Sequence, residues 1–186
     1  MNKPLFLFVG RSASGKTTIA NMLEKDGYSQ IASYTTRPPR HENEVGHTFI
    51  SDEEYHKLEN IMASTVYNGY RYCTTLEQVQ NADIYVVDIE GVRTLLNNYD
   101  KLNRPVHIIY FDANVTNRIR RMMSRGDSDT NIVGRLLNDE DYDWYEKLQQ
   151  TLLNYSLNCI KLQRINSNVD LHTVYNVIRS YMKYYE

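Results

Sequence analysis

The chain has 186 residues, 41% of them hydrophobic, and a net charge of −2. That suffices for one well-buried α/β domain, is short for two, and gives no electrostatic drive toward nucleic acid or an anionic membrane. No apolar run reaches membrane-spanning length, the first one lacks a small-residue cleavage site, and the two distant cysteines, Cys73 and Cys159, have no metal-ligand spacing, so a cytoplasmic protein with reduced thiols and no signal peptide is expected.

The first predicted element is a buried strand, LFLFV (Leu5 to Val9). It runs directly into GRSASGKTT, which fits the pattern G-x-x-x-x-G-K-[ST] with Gly10, Gly15, Lys16 and Thr17 at the fixed positions. Such a loop wraps a polyphosphate with bare backbone N–H groups, and the helix that follows points its positive end at the same charge. Lys16 is suited to the β- and γ-phosphates, and the Thr17 hydroxyl to Mg²⁺. The helix Thr17 to Lys25 ends at Asp26-Gly27, and a second strand is expected at about Ser29 to Ala32.

From Ser33 to Ile50 the chain is polar, and Pro38-Pro39 exclude a regular helix. Ser51 and Glu54 form a capping box for a helix expected to reach about Asn60. MASTVY and YRYCT flank Asn68-Gly69, a hairpin signature. Residues 34 to 80 therefore read as a small α+β insertion. IYVVD (Ile84 to Asp88) restores the core with a strand ending in a carboxylate suited to Mg²⁺ or its water. A helix near Gly91 to Asn98 and a strand Pro105 to Phe111 follow. Asn114 then caps a helix with Val115, Ile119, Met122 and Met123 as its apolar stripe. Residues 125 to 130, RGDSDT, read as a mobile loop. A long helix is expected from about Asn131 into Leu153, then a strand at Cys159 to Ile165 and a helix from Val169 to Lys183. Alternating strands and helices behind a strand–loop–helix start indicate a three-layer, mainly parallel α/β fold.

Arginines crowd the mobile loop. Arg121, Arg125 and Arg135 are read as a clamp on a moving phosphoryl group, supplying positive charge when a lid closes. Arg118 and Arg120 are assigned to solvent. Arg37 and Arg40, held among prolines and hydroxyls, suit a second phosphate site, because guanidinium matches phosphate oxygens bidentately.

Taken together, the chain resembles the guanylate kinases over nearly its whole length. GRSASGKTT is similar to their G-P-S-G-x-G-K-S-T, and SYTTRPPR to their S-x-T-T-R-x-P-R. FISDEEY, NGYRYCTT, VVDIEG and RMMSRG match F-V-S-x-E-E-F, G-x-Y-Y-G-[ST], L-D-I-D and R-L-x-x-R-G. The resemblance implies a P-loop NTPase fold with a core of about 1–33, 81–124 and 135–186, an acceptor-binding insertion at 34–80 and a lid at 125–134. It implies ATP on Gly10, Ser12, Ala13, Ser14, Gly15, Lys16, Thr17 and Thr18. The acceptor, GMP or dGMP, falls to Ser33, Arg37, Arg40, His47, Tyr72, Thr74, Asp88 and Glu90. Catalysis falls to Lys16, Arg121, Arg125 and Arg135, with Mg²⁺ on Thr17 and, through water, Asp88. Partners are small nucleotides alone. The family's tyrosine falls at His47, its guanine-reading glutamate at Ala63 and the glycine after Tyr72 at Cys73. Phosphate handling is thus expected to be kept and base reading to be partly lost. The rival acceptors are another nucleoside monophosphate and ribose 1,5-bisphosphate. A non-catalytic guanylate-kinase-like binding module is the rival from another class, disfavoured by the presence of Lys16, Thr17 and Asp88.

Overall fold

The computed structural model describes residues 3–39, 42, 44–139, 143–155 and 159–185. Its first half comprises β1 (Leu5–Val9), α1 (Lys16–Lys25), β2 (Ser33–Thr35), β3 (His47–Phe49), α2 (Asp52–Tyr55), β4 (Ile61–Tyr67), β5 (Tyr70–Thr75) and α3 (Leu76–Asn81). Then come β6 (Ile84–Val86), α4 (Ile89–Asn97), α5 (Tyr99–Leu102), β7 (Val106–Asp112) and α6 (Val115–Ser124). The chain closes with α7 (Asp129–Asp139), α8 (Trp144–Leu152), β8 (Ile160–Asn166) and α9 (Leu171–Tyr184).

The core sheet has the order β6-β1-β7-β8, and every pair in it is parallel. Side chains alternate across a strand, so β1 feeds two apolar layers at once. Leu5, Leu7 and Val9 join Val106 and Ile108, under Val92 and Leu95 of α4 and Trp144 and Leu148 of α8. Phe6 and Phe8 face the other way, with Ile109 and Phe111, against Ile19 and Leu23 of α1 and Val174, Ile178 and Met182 of α9. This is the expected three-layer fold, a parallel sheet between helices. It places the loop after β1 and Asp88 after β6 at the carboxyl edge of the sheet, where ligands of such folds bind.

A second sheet, β3-β2-β5-β4, is carried by the insertion. Its β4–β5 hairpin turns at Asn68 (φ 50°) and Gly69 (φ 79°), a pair of left-handed residues that suits the right-handed twist of the strands. Arg104 ties the end of α3 to the residues before β1. Its guanidinium donates to the carbonyls of Lys3 and Pro4 before β1, and of Val79, Gln80 and Ala82 at the end of α3.

Four sequence expectations need correction. Residues 29–32 form no strand but a single parallel bridge, Gln30 to Ile84. Side chains end the pairing there, because Gln78 Nε2 and Thr48 Oγ1 both donate to the Ala32 carbonyl. The capping box at Ser51 and Glu54 is present, yet its helix stops at Tyr55. The expected long helix is two helices, because Asp143 starts α8 afresh by accepting the N–H groups of Tyr145 and Glu146. Finally, α6 turns Arg118 and Met122 inward, whereas Val115 and Met123 are exposed. Arg120 is exposed as expected.

Candidate functional site

The loop between β1 and α1 closes around backbone rather than side chain. Gly10 has φ 153°, and a Cβ there would lie 2.7 Å from the Phe111 carbonyl oxygen and 2.9 Å from Ser14 Oγ. Gly15 has φ 103° and serves as N-cap of α1, so both glycines are required by conformation. Ala13 also has positive φ, 60°, at a cost of roughly 1–2 kcal/mol for a residue with a Cβ. Lys16 folds back over the loop and donates to the carbonyls of Gly10 (2.6 Å) and Arg11 (3.0 Å). Burial lowers its pKa to about 8. Asp139 and Asp88 act against that shift, and Arg118 and Arg125 reinforce it.

The strained loop is gripped from outside. Arg121 donates to the carbonyls of Ala13 (3.2 Å), Ser14 (3.0 Å) and Ser167. The Ser167 hydroxyl donates to the Ser14 carbonyl. On the other flank Arg118, assigned to solvent from sequence, is 1% exposed and paired with Asp139 at 2.5 Å. The i, i+3 spacing of Arg118 and Arg121 was legible, but not that α6 lays both against the loop. Asp139 and Ser167 carry no motif that would have revealed them.

Two hollows meet at this loop. The inner one, about 510 Å³, is lined by Gly10, Ser12 and Lys16, by Ser33, His47 and Tyr72 of the second sheet, and by Asp88 and Glu90. Thr65, Tyr67, Tyr85, Asn138, Asp139, Trp144 and Lys147 are also part of its wall, none of them assigned to a site from sequence. The outer one, about 460 Å³, runs along Ala13, Ser14, Gly15, Lys16, Thr17 and Thr18 to Arg121, Arg125, Ser167, Val169 and Leu171. Lys16 lines both.

Within the inner cavity, Ser33 Oγ lies 3.0 Å from His47 Nδ1, and the His47 ring stands edge-on to Tyr72. Asp88 does not end a strand but caps α4. Its Oδ1 accepts the Gly91 N–H at 2.7 Å and its Oδ2 the Thr65 hydroxyl at 3.0 Å. Burial raises its pKa, against the lowering effect of those two bonds. Arg37 lies behind the cavity wall, with its fork on Glu44 at 2.8 and 3.1 Å and its charge over the Phe49 ring. Thr74 is fully buried and donates to Gln78, and Glu90 is held by Arg93. Ala63 is 1% exposed, in register with Thr74, and does not line the cavity. Arg40 lies outside the described residues.

Around the expected lid, Arg125 pairs with Asp127 at 2.5 Å, and Arg135 approaches the same carboxylate at 3.6 Å. Arg125 lines the outer groove and Arg135 lines neither hollow. Among the described residues no cluster of three or more His, Cys, Asp or Glu could hold a metal ion by itself. The donor set, the Thr17 hydroxyl and the Asp88 carboxylate, suits Mg²⁺ that brings most of its oxygens as phosphate and water.

The sheet order, the loop and the flanking helices define an α/β fold with a parallel four-stranded core between helices and the phosphate-loop motif at its carboxyl edge. Among solved structures the chain is similar to guanylate kinase from Anaplasma phagocytophilum, at 16% identity over 98% of this chain and 85% of that one, with a TM-score of 0.56. It is also similar to deoxyadenosine kinase from M. mycoides with bound dATP, at 14% identity over 96% and 99%, with a TM-score of 0.47. No protein-family model matches the chain, and no curated protein matches it. No helix among the described residues is long and apolar enough to cross a membrane.

Proposed function

We propose that the protein is an ATP-dependent nucleoside monophosphate kinase of the guanylate kinase type, transferring the γ-phosphoryl group of ATP to GMP or dGMP. The observation that carries this reading is the pair of hollows sharing Lys16. A hydrolase needs one nucleotide site, whereas a kinase needs donor and acceptor facing each other across the transferring group. The outer groove suits ATP, with its phosphates on residues 13–18 and its apolar part toward Val169 and Leu171. The inner cavity suits the acceptor. Its phosphate falls to Ser33, His47 and Tyr72, with Arg37 behind them once it exchanges Glu44 for phosphate and with Arg40 as the sequence pattern implies, and its sugar and base fall to the wall formed by Asp88, Glu90 and Lys147.

Transfer is in line and direct, with no side-chain nucleophile. Lys16 supplies charge at the centre, and Arg125 and Arg135 add theirs when the lid segment, 125–134, closes. Thr17 and Asp88 would hold Mg²⁺, which neutralises phosphate charge when bound. With both oxygens already hydrogen-bonded, Asp88 is suited to act through a water.

A second reading changes only the base. Ala63, Thr74 and Arg93-bound Glu90 offer guanine's N–H edge little, which favours a monophosphate carrying another base. ADP release measured against GMP, dGMP, AMP, dAMP, CMP, UMP, dTMP and ribose 1,5-bisphosphate tests both. Highest kcat/KM with GMP or dGMP supports the first reading. A different nucleotide supports the second, ribose 1,5-bisphosphate overturns both, and absence of turnover with every acceptor removes the kinase.

A further inference from the structure

The unexpected burial of Arg118 beside the loop has a specific pattern. Asp139 Oδ2 accepts the backbone N–H of Ser12 at 2.8 Å, while Arg118 Nε donates to the carbonyl of the same residue at 2.9 Å. Arg118 Nη2 and Asp139 Oδ2 close the ring at 2.5 Å. One loop residue is therefore held through both its peptide groups by the two halves of one ion pair. The Asp139 carbonyl is fixed in turn, accepting from Arg11 Nε (3.1 Å) and from Trp144 Nε1 (3.0 Å). Ser12 directly precedes Ala13, the left-handed residue of the loop.

We propose that Arg118 and Asp139 are positioning residues for the phosphate loop. They hold Ser12, and through it the strained turn at Ala13, in the polyphosphate-binding shape before any nucleotide arrives. Three physical points carry this. A buried ion pair is a poor way to stabilise a fold, since apolar side chains of similar size do as well. Strained backbone persists only where its surroundings over-determine it, and here bonds arrive on both flanks, from this pair and from Arg121 with Ser167. Backbone donors fixed in advance bind a polyanion without an ordering cost. Asp139 is also the last residue of α7, which begins inside the expected lid segment, so the pair ties that helix to the loop.

The inference rests on the outer groove being an ATP site, not on the identity of the acceptor, so its test is binding. Mg·ATP affinity is measured by calorimetry for the unmodified protein, for Arg118→Lys and for the double variant Arg118→Met with Asp139→Asn. Lys keeps the charge beside Asp139 but replaces the planar fork, whose two nitrogens bond Asp139 and the Ser12 carbonyl separately, with a single nitrogen. The double variant removes both charges, leaving neither buried alone. Both are expected to melt cooperatively and to bind Mg·ATP at least tenfold more weakly. Native affinity in either folded variant would show that the pair only fills the core. Amide hydrogen exchange on the unmodified, nucleotide-free protein is independent of any variant. The Ser12 N–H is expected to be protected already, and protection that appears only after ATP is added overturns the proposal. Tight ATP binding without turnover of any acceptor would remove the kinase reading and leave this inference standing.

Discussion

Lys16 shows how one side chain is poised for work and costs the fold something for it. Its pKa is lowered from 10.5 to about 8, chiefly by burial. Free enzyme then loses the Lys16 proton above about pH 8, so kcat/KM for ATP is expected to fall on that alkaline limb. Stability runs the other way. The unfolded chain holds this proton more tightly, so the cost is fully present below pH 8 and is relieved as pH rises toward 10.5. Compared with Lys16→Met, the unmodified protein should therefore gain relative stability between pH 8 and 10.5, read from urea midpoints. The same variant should lower kcat by several orders of magnitude, on the scale of ~3–5 kcal/mol of lost charge stabilisation. A folded Lys16→Met with near-native turnover would leave the loop without its assigned role.

Among the elements, the end of α3 is joined to the residues before β1 through Arg104. Five carbonyls from two chain segments converge on its guanidinium, and three of those bonds are partly buried. Arg104→Met would keep much of the side-chain volume and orphan those acceptors, with a loss of about 2–4 kcal/mol expected. Equilibrium urea unfolding checks the loss, and a change under 0.5 kcal/mol, roughly what an unremarkable surface position shows, would mean that water replaces the guanidinium without cost. At this scale too, the split of 131–153 into α7 and α8 has a structural effect. It places Asp139 at a helix end beside the loop, with Trp144 turned to hold it.

For the molecule as a whole, the charges of the expected lid segment are paired with one another. Asp127 pairs with Arg125 at 2.5 Å and lies 3.6 Å from Arg135. Under the proposed function, closure of 125–134 would exchange these surface contacts, individually worth little, for phosphate. Arg135→Ala and Arg125→Ala are each expected to lower kcat more than they raise the KM for ATP, because the new contact is strongest in the transition state. Steady-state kinetics with ATP varied decides this, and an effect confined to KM would mean that the arginines serve only binding.

The strand–loop–helix at residues 5–25, the parallel core and the Asn68-Gly69 hairpin were determined by local sequence. Each rests on short-range rules, uninterrupted apolar runs for buried strands, glycines where φ must be positive, and side-chain caps. The departures at His47 and Ala63 were also legible, although only the tertiary structure shows Ala63 buried behind the cavity. What the sequence could not decide is which long polar side chains meet. Arg118 reads as solvent because α6 carries arginines on several faces, and its burial depends on Asp139 arriving from 21 positions away. Glu44 on Arg37, Arg93 on Glu90 and Gln78 on Thr74 likewise show which candidates are already engaged. Backbone periodicity reports which face of an element is apolar. The pairing of charges is set by tertiary distance, since a buried ion is tolerated only where its partner lies.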